Sequence, residues 1–241
     1  QARTALTIRC AWPGSSLLPS LPWCVMMRLL ACLAAVSVAA GASMGVSEER
    51  AALLDKLWDD HLRHEFAPPD KSTKLTMATM VKEPYVNHVP TLVGGVGKVS
   101  LAHFYQHHFI FTNPAMSLSP VSRTIGATQI VDEMVVEFNH TSYVDWLVPG
   151  VAPTGRNVRF PLVAIVCVQD EDGVPKVSHE HIYWDQATIL KQLGVADFEG
   201  LDVTGREQAA KVLDPRAVRS NALLVRTGRY AAPGAVPSGD L

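Results

Sequence analysis

The densest run of side chains able to move protons is Ser178-His179-Glu180-His181-Ile182-Tyr183-Trp184-Asp185. In an extended strand, successive side chains point to opposite faces. Period two therefore sets His179, His181 and Tyr183, with Asp185, on one face. Glu180, Ile182 and Trp184 take the other. A concave sheet face carrying histidine, tyrosine and a carboxylate can give and take protons, which is general acid–base chemistry. Asp185 also stands just before an expected helix, where it could serve as the N-cap. His140 is the second candidate. It follows an alternating run over 129–141 in which Ile130, Met134, Val136 and Phe138 share one apolar face, and by parity it joins them.

Two metal readings are weaker. His179-x-His181 with an acid four residues on has the form of the metal strand of cupins, where two histidines and a carboxylate hold a divalent ion. Three expected N-terminal helices fit that all-β fold poorly. His103 and His107 stand i, i+4 on a helix, but Phe104 excludes an HExxH zinc motif. No metal site and no cofactor is expected. Gly94-Gly95-Val96-Gly97 lacks the lysine and the Ser/Thr of a phosphate loop and reads as a turn. Cys167 lies inside an apolar strand without the glycine-rich turn of a nucleophile elbow.

The elements that must position these groups are legible from periodicity. Ser47 followed by Glu48 and Glu49 reads as an N-cap with acids in the first turn. Leu53, Leu54, Leu57, Trp58, Leu62 and Phe66 then recur at helical spacing, which predicts a helix over 48–66. A second, shorter helix is expected near 70–82 and a third near 98–110. An extended stretch, 85–92, separates them. Strands are expected at 116–125, 129–141, 157–169 and 174–184. Asp170-Glu171-Asp172-Gly173 supplies a hairpin turn. A short helix over 187–193 closes the unit, with Gly194 at its end. Helices followed by a run of strands argue an α+β fold, with helices packed against one curved antiparallel sheet.

Composition narrows the classes. The 241 residues carry a formal charge of −2, which disfavours a nucleic-acid binder. No run reaches the roughly 18 consecutive apolar residues of a membrane span. Residues 1–47 hold three arginines and no acid, so the remainder carries 18 basic against 23 acidic side chains. Cys10, Cys24 and Cys32 also fall in that leader. Three readings of residues 1–46 compete. They form an organelle transit peptide, or a secretory signal from Met26 or Met27 cut near Ala40-Gly41-Ala42, or an extension upstream of a start at Met44. A start at Met44 would leave the protein cytoplasmic; a used leader would make it organellar or secreted. The compact domain is expected over 47–213, and 214–241 has the composition of a tail.

Several motifs together resemble the SnoaL-like, polyketide-cyclase-related branch of the nuclear-transport-factor-2-like superfamily. They are Tyr85-Val86-Asn87-His88, Gly95-Val96-Gly97, His140-Thr141, Pro153-Thr154-Gly155-Arg156, and Glu180-His181 through Asp185 to Gln192-Leu193-Gly194. Ser119-Pro120-Val121-Ser122-Arg123 is similar to a subgroup sometimes labelled carboxymethylenebutenolidase. The resemblance covers roughly residues 48–195. It implies a conical, cystatin-like α+β barrel around a deep apolar pocket, here lined by His88, Tyr85, Tyr183, Trp146, Phe138 and Trp184. It implies Asp185 as acid/base with His140 across the cavity; His181 or Tyr183, in a setting the cyclases do not share closely, would join His140 in polarising a carbonyl as a further catalytic group. Activity would be a cofactor-independent isomerase or cyclase-type proton transfer beside a carbonyl. The substrate would be small and apolar or carbonyl-bearing, and a homodimer would form through the sheet. The alternative is a non-catalytic ligand- or partner-binding module. A hydrolase or a cupin-like metal enzyme ranks lower.

Overall fold

The computed structural model describes residues 7–10 and 45–226. Met26, Met27, Met44 and Ala40–Ala42, on which the leader expectations turn, lie outside the described residues. The chain forms β1 (Thr7–Cys10), α1 (Glu48–Phe66), α2 (Thr73–Ala78), β2 (Met80–His88), β3 (Val93–Val96) and α3 (Lys98–Phe104). The helix continues through a π-helical turn, Tyr105–Phe109. There follow β4 (Met116–Ile125), β5 (Gln129–Asn139), β6 (Asn157–Glu171), β7 (Val174–Trp184), α4 (Gln186–Leu193), α5 (Glu207–Leu213) and α6 (Ala222–Arg226). The last of these falls within the segment expected to be a tail.

The fold is α+β, with one curved sheet in the order β1-β4-β5-β6-β7-β2-β3. Neighbours pair antiparallel except β2 and β7, which run parallel, so the sheet is mixed rather than wholly antiparallel. Buried and half-buried residues alternate along β6, whose sequence reads as apolar on both faces. The even-numbered residues Val158 to Val168 of β6 all face inward. The second helix is shorter than expected because the chain extends at Met80, where β2 starts alongside β7. The glycine stretch does more than turn the chain: Val93–Val96 pairs with β2. A Cβ on Gly94 would lie 2.0 Å from the Val86 carbonyl oxygen, and one on Gly95 would lie 2.8 Å from the α3 backbone. Only glycine permits those approaches.

Helix α1 packs on the inner face. Its buried residues are Leu54, Trp58, His61 and Glu65, one stripe at spacings of four, three and four. The stripe begins apolar and ends polar. Trp58 Nε1 donates to Asp132 Oδ2 at 2.7 Å. Arg123 also donates to Asp132 at 2.9 Å, and to Asp55 and Asp59 at 2.7 Å. This network fixes α1 against β4 and β5, and so fixes what α1 carries into the interior.

Candidate active site

A pocket opens between α1, the π-helical turn and the inner sheet face. Its cavity volume is about 40 Å³, within about 480 Å³ of non-atom space that includes open solvent at the mouth. The sheet contributes an aliphatic wall that includes Met134, Val136, Leu162 and Ile182. The helical side contributes Trp58, Phe66, Tyr105 and Phe109. Among the lining residues Leu62, Phe66, Met116 and Leu118 are only half-buried, so they mark the mouth.

Two carboxylates stand in this apolar setting, Glu65 from α1 and Glu180 from β7. Both are almost wholly buried. His61, fully buried behind them, places Nε2 3.1 Å from Glu65 Oε1 and 3.1 Å from Glu180 Oε1. Its Nδ1 lies 2.6 Å from Thr79 Oγ1. The Thr79 hydroxyl donates its one hydrogen to the Thr76 carbonyl at 2.6 Å. It must therefore accept from His61, so Nδ1 carries a proton. The imidazole also stacks on Trp58, with centroids 5.2 Å apart. Tyr105 Oη donates to Glu180 Oε1 at 3.3 Å.

The electrostatics follow from burial and charge. Burial alone would lower the His61 pKa, but Glu65 and Glu180 outweigh it and raise it to about 10. His61 is thus an imidazolium at neutral pH, donating toward both carboxylates. Burial pushes the Glu65 carboxyl up, against the pull of His61. Burial and the two carboxylates hold the Tyr105 phenol well above its usual value, so it stays a donor. His88 is different. Its Nδ1 donates to the Val93 carbonyl at 3.1 Å, and burial lowers its pKa to about 4. It is neutral, with Nε2 left as an acceptor. Burying three ionisable groups costs several kcal/mol of desolvation, and such groups cluster where their chemistry is used.

The sequence candidates fall elsewhere. Asp185 does not line the pocket. Its Oδ1 accepts from the Ala187 and Thr188 amides at 2.9 and 3.4 Å, and its Oδ2 accepts from Gln208. It is the N-cap of α4. His140 is buried, but its Nδ1 accepts the Thr154 amide at 3.2 Å. That bond pins the loop before β6, away from the pocket lining. His181 points to the outer face with His179 and Tyr85, whose rings stack at 4.6 Å. Tyr183 is exposed on that same face. Phe138 belongs to the core, and Trp184 packs beside His88 with centroids 6.0 Å apart. Neither is among the lining residues; His88 and Trp146 are.

The period-two grouping of β7 holds, with His179, His181 and Tyr183 on one face and Glu180 and Ile182 on the other; it is the second group that meets the interior. Ser178 is an extra residue, because Val177 pairs with Val168 while His179 pairs with Cys167. This bulge switches the inward set from Val177 to Glu180 and Ile182. Without it, His179 and His181 would have faced the interior. His61 and Glu65 were overlooked because only apolar positions were used to define the buried face of α1. The signal was there: they continue the spacing of Leu54 and Trp58.

The sequence matches no protein-family model and no curated protein. Solved structures with a partial likeness to it are distant. A ketosteroid isomerase-like protein from Erwinia carotovora atroseptica is 14% identical at a TM-score of 0.42, covering 57% of this chain and 98% of its own. A nuclear transport factor 2-like protein of unknown function from Pseudomonas putida is 13% identical at 0.41, covering 57% and 88%. A protein with a cystatin-like fold from Nostoc punctiforme is 9% identical at 0.41, covering 59% and 96%. The chemistry has to be read from the side chains.

Proposed function

We propose that the protein is a small-molecule enzyme that moves a proton on carbon next to a carbonyl, with Glu180 and Glu65 as the working pair. The observation that carries this reading is the buried triad. Two carboxylates share one imidazolium, both at 3.1 Å, at the wall of an apolar pocket. In this reading ionised Glu180 takes the carbon-bound proton. Glu65, in the carboxylic acid form toward which burial pushes it, gives its proton to the carbonyl oxygen, and an enol results. Return of a proton from Glu180 to the same or a neighbouring carbon, with the enol O–H proton passing back to Glu65, completes an exchange or an isomerisation. His61 and Tyr105 are positioning residues that hold the carboxylates. Neutral His88 offers an acceptor to a substrate hydroxyl. No cofactor takes part in the step.

The substrate this pocket suits is small, largely apolar and carbonyl-bearing. The proposal includes self-association through the outer sheet face, where Val131, Val163 and Ile165 are only half-buried and Tyr183 is exposed. The test of function is solvent-deuterium uptake at the α-carbon of cyclopentanone, cyclohexanone and 2-indanone, followed by proton NMR. The protein should speed uptake of at least one probe above the buffer rate, and Glu180→Gln should remove about 10²–10⁴-fold of that acceleration. No acceleration on any probe, or full activity in Glu180→Gln, would overturn the reading.

A further inference from the structure

We infer that the same triad is a binding site for a small divalent transition-metal ion, with Zn²⁺ as the reference ion. His61 Nε2 and one oxygen each from Glu65 and Glu180 would hold it. Among the described residues these are the one set of three His, Cys, Asp or Glu ligand atoms lying within 4.8 Å of one another. Ligand bonds to zinc are about 2.0–2.2 Å, so ligand atoms in tetrahedral placement sit roughly 3.3–3.6 Å apart around the ion. The two observed separations from Nε2, both 3.1 Å, fall a few tenths of an ångström inside that edge, so a small outward shift of the side chains would seat the ion.

The surroundings fit as well. A metal-binding histidine usually donates its other N–H to a fixed acceptor, which sets the tautomer and orients the ring. Thr79 Oγ1 does this for Nδ1. His61 and Glu65 stand i, i+4 on one helix, and Glu180 comes from a strand with partners on both sides. One nitrogen and two oxygens form a borderline donor set that suits zinc, cobalt, iron or manganese better than calcium. Three protein ligands beside an open pocket leave at least one position for water or a ligand, the pattern of an open rather than a closed ion site.

Coordination takes the lone pair of Nε2, so the proton held there leaves to solvent as the ion enters. A carboxyl proton on Glu65 leaves in the same way. The ion then occupies both carboxylates and silences them as acid and base. Metal uptake and proton transfer are alternative states of one site. The inference shares the triad with the proposed function but needs no substrate, so the two fail separately.

The test is titration of the metal-stripped full chain with Zn²⁺ by calorimetry, repeated with Co²⁺ by visible absorption. Surface histidines are controlled with a His103→Ala/His107→Ala variant, since those rings lie 4.6 Å apart. One ion per chain should bind in both the parent and that variant. Thr79→Val should weaken it about 10–100-fold, as loss of an outer partner does. Glu180→Gln should weaken it further, and Glu65→Gln serves if Glu180→Gln misfolds by circular dichroism. Binding that disappears with His103 and His107, or that survives Glu180→Gln and Glu65→Gln unchanged, would overturn the inference.

Discussion

Raising the pH should strip a specific part of this protein's stability, and His61 fixes how much. Its pKa is about 10 folded against 6.5 for an unperturbed imidazole. A group whose folded pKa is raised contributes fully below its unfolded pKa and is lost as pH rises through the folded one. Between roughly pH 6.5 and 10 the folded state holds one proton more than the unfolded chain. The contribution should fall by about 1.4 kcal/mol per pH unit, roughly 5 kcal/mol in all as an upper bound. Glu65, also raised by burial, acts in the same sense. The perturbation is pH, and the control is His61→Gln, which retains every other titrating residue. Urea unfolding of both proteins at pH 6.5, 8 and 9.5 gives the difference in unfolding free energy. That difference should shrink steadily with pH. A difference that stays constant would mean that His61 is not an imidazolium in the folded protein, and the charge assignment of the triad would fall.

Further outcomes follow from the same geometry. Tyr105→Phe removes one donor to Glu180 and should cost about 0.5–1.5 kcal/mol of stability by thermal unfolding, with a measurable drop in exchange rate. Asp132→Ala should cost about 1–3 kcal/mol, because it leaves the Trp58 N–H without its buried acceptor while Arg123 keeps Asp55 and Asp59; urea midpoints measure it. The His88 imidazole, held near pKa 4 by burial, should show no titration by NMR above about pH 5.5. Ile165→Glu, on the outer sheet face, should shift sedimentation from dimer to monomer while circular dichroism stays unchanged.

Much of the fold was legible because it rests on local rules. Ser47 accepts from the Arg50 amide, Asp185 and Gly194 bound α4, and β6 alternates as an inner strand should. What escaped is non-local or irregular. The parallel pairing of β2 with β7 depends on a partner about a hundred residues away. The Ser178 bulge has no Gly or Pro to mark it, yet it decides which side of β7 meets the pocket. The alternative role weighed for Asp185, helix capping, is the one the backbone amides give it. The candidate site itself was half visible. His88 and Trp146 line the pocket, while Glu65, Glu180 and His61 were hidden by the ordinary rule that charged residues stay outside. That rule fails here because each charge has a buried partner.

The central claim is that the proton-moving carboxylates are those of the buried triad and not the one at the end of β7. Side-by-side α-proton exchange by the wild type, Glu180→Gln and Asp185→Asn tests it most directly. Exchange should fall at least about 100-fold in Glu180→Gln and stay within about twofold of wild type in Asp185→Asn. Exchange lost in Asp185→Asn and kept in Glu180→Gln, with both variants folded, would contradict the account.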